Sequence, residues 1–165
     1  MFLVASIEPW SKTHLNRLVK GPKIQFLDSG LLSVVRGSPG ASDGHGRRTA
    51  FGSLLETFVY GEIRKHQTWA EGRYRILFYR DKDQAEVDYV LEREDGSLVG
   101  VEVKAGASVS RQDLTGLRRF RQVAGEAFRR GIVLYDGEAF LPLGEDLWAV
   151  PLPTLWTVSP PVEEG

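Results

Sequence analysis

The sequence predicts an α/β fold in which helices flank a central mixed β-sheet. Three observations carry this prediction. Apolar residues recur at helical spacing over residues 50–66, three β-prone segments follow between 74 and 104, and a second amphipathic segment precedes a short apolar run at 131–135. The elements therefore follow one another as helix, three strands, helix and strand, an αβββαβ order that packs as helices on a sheet.

Each element has its own local signal. Residues 74–80 are aromatic and β-prone, and residues 85–93 and 97–104 alternate between polar and apolar side chains. Ser110 is predicted to cap the second helix, with Asp113 in its first turn, and the helix is expected to extend to about Arg129. The apolar run at 131–135 predicts a buried strand, and residues 147–150 predict another.

The chain of 165 residues has the length of one domain. Residues 37–48 contain four glycines and predict a loop that separates an N-terminal basic segment, 1–36, from the main body, 49–150. The tail, 151–165, is rich in proline and is expected to be irregular or extended.

Composition limits the kind of site that this chain can build. Cysteine is absent and the three histidines are scattered, so a metal site requires carboxylates and carbonyls, which favour Mg²⁺ or Mn²⁺. No apolar run approaches the ~20 residues of a membrane span, and no signal peptide is evident, which predicts a cytoplasmic protein without a membrane partner. Residues 1–80 hold 12 Lys and Arg against six Asp and Glu, a balance that suits a polyanion.

The two strands after residue 85 are predicted to form a hairpin closed by the loop Glu94-Asp95-Gly96. Counting back from this loop pairs three apolar couples on one face: Leu91 with Val99, Tyr89 with Val101, and Val87 with Val103. The opposite face then pairs Asp88 with Glu102, and Glu86 with Lys104.

Two neighbouring carboxylates repel each other unless a cation or a proton lies between them. A divalent cation at Asp88 and Glu102, beside Lys104, is a suitable arrangement for phosphodiester hydrolysis. Gly100 falls on the same face, where ligand could approach the backbone closely. The alternative is a solvated hairpin face with cross-strand charge pairs.

A third carboxylate could come from the first helix. Glu62 falls near the middle of the apolar stripe, where an unpaired carboxylate is unusual, and Glu56 lies nearer its edge. Helical geometry alone also allows Glu56 at the surface and Glu62 paired with an arginine.

The motifs Gly52-x-x-x-Glu56, Glu86-Val87-Asp88 and Val101-Glu102-Val103-Lys104 resemble those of the PD-(D/E)XK, or restriction-endonuclease-like, superfamily, whose core has the same αβββαβ order. More narrowly, residues 17–31 are similar to the start of a prokaryotic domain of unknown function that follows an AAA-type ATPase module.

The resemblance implies Asp88, Glu102 and the Val103 carbonyl as metal ligands, Glu56 as an additional ligand, and Lys104 as the catalytic lysine. It also implies an ATPase module as partner and allows a homodimer. This chain contains no Gly-x-x-x-x-Gly-Lys-Ser/Thr loop, so no ATP site is expected in it. It resembles a C-terminal fragment, or a short relative, of these ATPase-linked proteins.

Basic side chains suggest DNA as the polyanion. A second face of the second helix is predicted to carry Arg111, Arg118 and Arg119, together with Arg129 and Arg130, and the N-terminal segment carries Lys20 and Lys23. A solvated arginine face is the alternative. Function is therefore expected to be a divalent-metal-dependent nuclease on DNA, or an inactive module of the same fold for DNA binding or protein association.

Overall fold

The computed structural model describes residues 3–12, 21–36, 44–144 and 146–157, with the backbone alone for Arg36 and for 44–49. It confirms an α/β fold with a six-stranded mixed sheet. The strands are β1 (Val4–Ile7), β2 (Lys23–Phe26), β3 (Tyr74–Arg80), β4 (Glu86–Arg93), β5 (Leu98–Lys104), β6 (Phe128–Tyr135), β7 (Leu141–Gly144) and β8 (Leu147–Pro151), and the α-helices are α1 (Ser29–Arg36), α2 (Gly44–Gln67) and α3 (Thr115–Ala124).

The main sheet has the strand order β3-β4-β5-β6-β8-β7. Strands β3, β4 and β5 are antiparallel neighbours, β6 is parallel to β5, β8 is parallel to β6, and β7 returns antiparallel to β8. The chain reaches β6 from β5 through α3, as a parallel pair requires. The predicted order of helix, three strands, helix and strand is confirmed by α2, β3 to β5, α3 and β6.

Two apolar cores lie on the two faces of this sheet, one beneath each long helix. The core on the α2 side is built from Val59, Tyr60, Ile63, Tyr89, Val101, Val103 and Leu134, among others. The core on the α3 side contains Val87, Val90, Leu98, Leu117, Phe120, Phe128 and Val133. The ends of β4 and β5 therefore lie between two packed layers.

The N-terminal segment is part of the same packing. Strands β1 and β2 pair antiparallel in a small separate sheet, and Pro9 bridges to Phe78 beside the edge of the main sheet. Trp10 is buried and packs edge-on against Phe120, with ring centroids 5.0 Å apart. The segment predicted as separate from the body thus contributes to the core of the body.

Three helix boundaries differ from the prediction. Helix α3 begins at Thr115 with Leu114 at its N-cap, so Ser110 does not cap it as predicted, because a separate 3₁₀ turn, Gln112–Leu114, lies between them. Helix α2 begins at Gly44, so 44–48 are helical rather than loop, and 37–43 lie outside the described residues. Helix α3 ends at Ala124 because Gly125, with φ of 61°, leaves the helical region, so Arg129 and Arg130 lie on β6 instead.

The last two strands, β7 and β8, complete one edge of the main sheet. The strand predicted at 147–150 is confirmed as β8, whereas β7 escaped prediction because Pro142 is a strand breaker that only an edge position tolerates. The tail after β8 forms a short 3₁₀ turn, Leu152–Leu155, and residues 158–165 lie outside the described part. Among the residues that the structure describes, no helix is both long enough and apolar enough to cross a membrane.

Candidate functional site

A β-bulge interrupts β4 at the predicted site. Phe78 on β3 lies opposite two residues of β4, Asp88 and Tyr89, rather than one. Val87 consequently packs in the α3-side core, whereas Tyr89 packs in the α2-side core. The prediction that Val87 shares a face with Tyr89 is wrong, because simple alternation along a strand does not register an extra residue.

The hairpin register is confirmed near its loop. Leu91 pairs with Val99 and Tyr89 with Val101, and Gly96 closes the loop with φ of 79°. The paired residues of the ladder end at Tyr89 and Val101. The predicted pairs of Asp88 with Glu102 and of Glu86 with Lys104 lie past that end.

Asp88 occupies the point where the two strands separate. Its Oδ2 atom accepts a hydrogen bond of 2.9 Å from the backbone N–H of Val103, and its Oδ1 atom lies 3.6 Å from the ammonium of Lys23. The residue is only 8% exposed. Burial, followed by the charge of Glu56, raises the pKa of the Asp88 carboxyl to about 6, although Lys23 acts in the opposite direction.

Lys23 gathers three carboxylates on the α2 side of the site. Its Nζ atom lies 3.4 Å from Glu56 Oε2, 3.9 Å from Glu86 Oε1 and 3.6 Å from Asp88 Oδ1. The Tyr89 hydroxyl donates a hydrogen bond of 2.9 Å to the backbone carbonyl of Glu56, which fixes α2 against β4. The structure thus places Lys23, predicted to contact phosphate, inside the carboxylate cluster.

Lys104 lies between two carboxylates on the α3 side. Its Nζ atom is 2.9 Å from Glu102 Oε1 and 3.5 Å from Asp113 Oδ1. Asp113 is itself held by the backbone N–H and the hydroxyl of Ser110, at 2.8 and 2.7 Å. Burial alone would lower the pKa of Lys104, but the nearby charges of Glu102, Asp113 and Asp88 raise it above its ordinary value.

Asp113 was missed as a site residue because its sequence position suggested only a role in starting the second helix. The crossover between the parallel strands β5 and β6 brings this segment back beside the end of β5. That crossover is the feature from which the contact of Asp113 with Lys104 could have been predicted. The prediction that ligand could approach the backbone at Gly100 is also wrong. A Cβ atom there would lie 2.7 Å from Leu117, so Gly100 serves close packing of α3 rather than approach of a ligand.

Glu102 contains a buried oxygen without a partner. Its Oε1 atom contacts Lys104, whereas its Oε2 atom is buried and has no hydrogen-bond partner within the described ranges. Burial, followed by the charge of Asp88, raises the pKa of the Glu102 carboxyl to about 8. Such an atom is costly unless a proton or a cation satisfies it.

The two other candidate carboxylates have partners outside this centre. Glu62 accepts hydrogen bonds from Lys65 at 2.5 Å and from the Trp156 indole N–H at 2.9 Å, so it is paired with a lysine and an indole rather than an arginine. Glu86 is held by Arg80, with Nη2 2.8 Å from Glu86 Oε2, and only its other oxygen faces Lys23.

The predicted DNA-contacting residues do not form one helical face. Arg119 binds Asp81 and Asp83, each at 2.8 Å. Arg118 is exposed on α3, and Arg111 is exposed in the segment before it. Lys20 lies outside the described residues.

The acidic side chains do not converge as a preformed metal cluster. Among the residues that the structure describes, no group of three or more Asp, Glu or His side chains is placed to hold a metal ion. The ammonium groups of Lys23 and Lys104 contact the carboxylates instead.

Comparison with known protein families accounts for most of the described chain. A family model described as a domain of unknown function, DUF4143, matches residues 51–155, which include both helix α2 from Phe51 and the whole main sheet. The chain belongs to the DUF4143 family. This DUF4143 match covers Glu56, Asp88, Glu102, Lys104 and Asp113, but not Lys23. No curated protein and no solved structure shows significant similarity to the chain.

Proposed function

We propose that this DUF4143 domain is a divalent-metal-dependent nuclease of the PD-(D/E)XK kind that acts on DNA phosphodiesters. The observation that carries the proposal is the buried Oε2 atom of Glu102, which has no hydrogen-bond partner among the described residues. The same carboxyl feels the charge of Asp88 and forms an ion pair with Lys104. The order of the elements around it supports the same proposal, since α2, β3 to β5, α3 and β6 repeat the αβββαβ order of that superfamily.

The donor set fits Mg²⁺ or Mn²⁺. Asp88 and Glu102 offer carboxylate oxygens. The resemblance implies the Val103 carbonyl as a further oxygen ligand, and it implies Glu56 as well, although Glu56 is paired with Lys23. Oxygen ligands of this kind suit hard divalent cations. A cation held there would lower the pKa of a bound water and neutralise charge on the phosphate.

Lys104 acts in this proposal as a fixed positive charge rather than as a base. The charges of Glu102 and Asp113 hold its ammonium in place and keep it protonated, because its pKa is raised. A positioned ammonium stabilises the negative charge that develops on a phosphate in the transition state. Asp113 is then a positioning residue, since it contacts Lys104 and is itself anchored by Ser110.

The test is cleavage of supercoiled plasmid and of branched DNA by the purified chain with Mg²⁺ or Mn²⁺. Asp88→Asn and Lys104→Met should each abolish cleavage, whereas Glu94→Gln, in the exposed hairpin loop, should leave it unchanged. Cleavage that persists in the double variant Asp88→Asn, Lys104→Met would mean that the activity comes from a contaminant.

The second candidate is a catalytically inactive module with the same fold that binds DNA or an ATPase partner. It is favoured by one observation: the carboxylates are contacted by the ammonium groups of Lys23 and Lys104 and do not form a preformed three-residue metal cluster within the described ranges. Calorimetric titration separates the two candidates. Binding of Mn²⁺ that is lost in Glu102→Gln supports the nuclease, and absence of binding supports the inactive module.

A further inference from the structure

Lys23 differs from an ordinary surface lysine. Its ammonium lies within 3.9 Å of three carboxylates, those of Glu56, Glu86 and Asp88, and only 19% of its side chain is exposed. Lys65 on α2 shows the ordinary case, since it pairs with Glu62 one helical turn away and 71% of its side chain is exposed.

The ammonium of Lys23 is shared by three carboxylates. The ammonium donates a hydrogen bond of 3.4 Å to Glu56 on α2. It forms ion pairs without a hydrogen bond with two carboxylates of β4, those of Glu86 and Asp88. The Tyr89 ring lies beneath the same group, 5.6 Å from Nζ to the ring centroid. The lysine itself comes from β2, which belongs to the small N-terminal sheet.

We propose that the ammonium of Lys23 is the built-in cation of the α2 side of the cluster, so that the domain binds a single divalent ion on the Glu102 side rather than a pair. This inference rests on the proposed function. Two-metal sites hold their ions about 3.5–4 Å apart, which requires carboxylates available on both sides of the shared ligand. Here Asp88 is the shared carboxylate, and Lys23 already neutralises its α2 side.

Charge explains why the lysine is needed. Glu56, Glu86 and Asp88 would repel one another without a cation between them, and Arg80 neutralises only the outer oxygen of Glu86. Glu56, which the resemblance implies as a metal ligand, is therefore a partner of Lys23 in the wild-type domain. Strand β2 becomes a functional part of the centre, although the family match begins after it.

The experiment is calorimetric titration with Mn²⁺ of the wild type, Lys23→Met and the control Lys65→Met. Methionine keeps the length of the side chain and removes its charge. We expect one ion per chain in the wild type and in Lys65→Met, and a second ion in Lys23→Met. Two ions in the wild type, or the same number in Lys23→Met as in the wild type, would overturn the inference.

Glu102→Gln separates this inference from the proposed function. In the wild-type background it should remove the single ion, and retention of that ion would contradict the nuclease site. In the Lys23→Met background it should leave the second ion bound. No ion in the wild type with one ion in Lys23→Met supports the role of Lys23 and overturns the proposed function, and no ion in either overturns both.

The melting temperature of Lys23→Met shows whether this variant is folded. Without metal, repulsion among the three carboxylates should lower its melting temperature, and Mn²⁺ should restore it by more than it raises that of Lys65→Met. If Lys23→Met stays unfolded at every Mn²⁺ concentration, the count of Mn²⁺ bound to the wild type by electron paramagnetic resonance decides, with one ion supporting the inference and two overturning it.

Discussion

The carboxylate of Asp88 accepts a hydrogen bond of 2.9 Å from the backbone N–H of Val103. The bond joins β4 to β5 just past the last paired residues of their ladder, Tyr89 and Val101. A side chain thus replaces a backbone acceptor, and the two strands separate at this point. The separation leaves Asp88 between the α2-side lysine, Lys23, and the end of β5, where Glu102 is buried.

The buried carboxyls make stability depend on pH. Burial raises the pKa of Asp88 to about 6 and that of Glu102 to about 8, so the folded state retains protons that the unfolded state releases. The stability that this retention provides is fully present below the ordinary carboxyl pKa of about 4 and is lost as the pH rises through 8. Metal-free protein should therefore unfold at lower temperature at pH 9 than at pH 6.

Glu102→Gln tests the same cause directly. Removal of the buried charge should stabilise the metal-free protein at pH 9 by at least about 1 kcal/mol, which raises the melting temperature by about 2–4 °C in a chain of this size. Glu94→Gln in the exposed loop is the control and should change little. A Glu102→Gln variant that melts below the wild type at pH 9 would contradict a destabilising charge at this position.

Gly116 near the start of α3 has no room for a side chain. A Cβ atom there would lie 1.8 Å from the backbone oxygen of Glu86, so α3 or β4 must shift to accept alanine. Gly116→Ala should destabilise the fold by about 1–3 kcal/mol in denaturant unfolding. Gly52→Ala, in α2, should be neutral or stabilising by up to about 1 kcal/mol, because its Cβ would meet no atom of the described residues within 4 Å beyond the backbone of the helix itself. Equal stability of the two variants would contradict this packing.

The sequence was most informative where local pattern decides the structure. The alternation of apolar residues and the Gly96 loop predicted the pairing of Leu91 with Val99 and of Tyr89 with Val101, and both are confirmed. The predicted face of Val87 is wrong, because the bulge adds one residue to β4 and the alternation of the sequence gives no sign of it.

The centre itself was only partly predictable. Glu102 and Lys104 share a face because they are two residues apart on β5, which spacing determines. Lys23 and Asp113 reach the same centre from distant parts of the chain, and their contacts depend on how β2 and the α3 crossover pack. Gly100 was misassigned because close packing of a helix demands glycine as much as a ligand does.

Glu56 and Glu62 should behave differently, although both lie on α2. Glu62 supports the C-terminal turn through Trp156, so Glu62→Gln should lower the melting temperature and leave Mn²⁺ binding unchanged. Glu56→Gln should instead free Lys23 from one of its three partners and alter Mn²⁺ affinity through Asp88. Loss of Mn²⁺ binding in Glu62→Gln would mean that the centre extends to that residue.

DNA affinity should depend on the exposed arginines more than on Arg119. Replacement of Arg118 or Arg111 by glutamine should weaken DNA binding and reduce the salt slope by about 1 for each phosphate that is no longer neutralised. Arg119→Gln should have the smaller effect, since Asp81 and Asp83 already bind its guanidinium. Fluorescence anisotropy with labelled duplex over a range of salt concentrations measures both quantities. An Arg119→Gln effect larger than that of Arg118→Gln would contradict this assignment.

The most direct measurement is a crystal structure of the domain grown with Mn²⁺, with data collected at the manganese absorption edge. The proposal predicts one anomalous peak, bound by oxygen atoms of both Asp88 and Glu102, with the ammonium of Lys23 retained between Glu56 and Asp88. A centre without manganese at saturating concentration, or manganese bound by neither of those carboxylates, would contradict the assignment of this site.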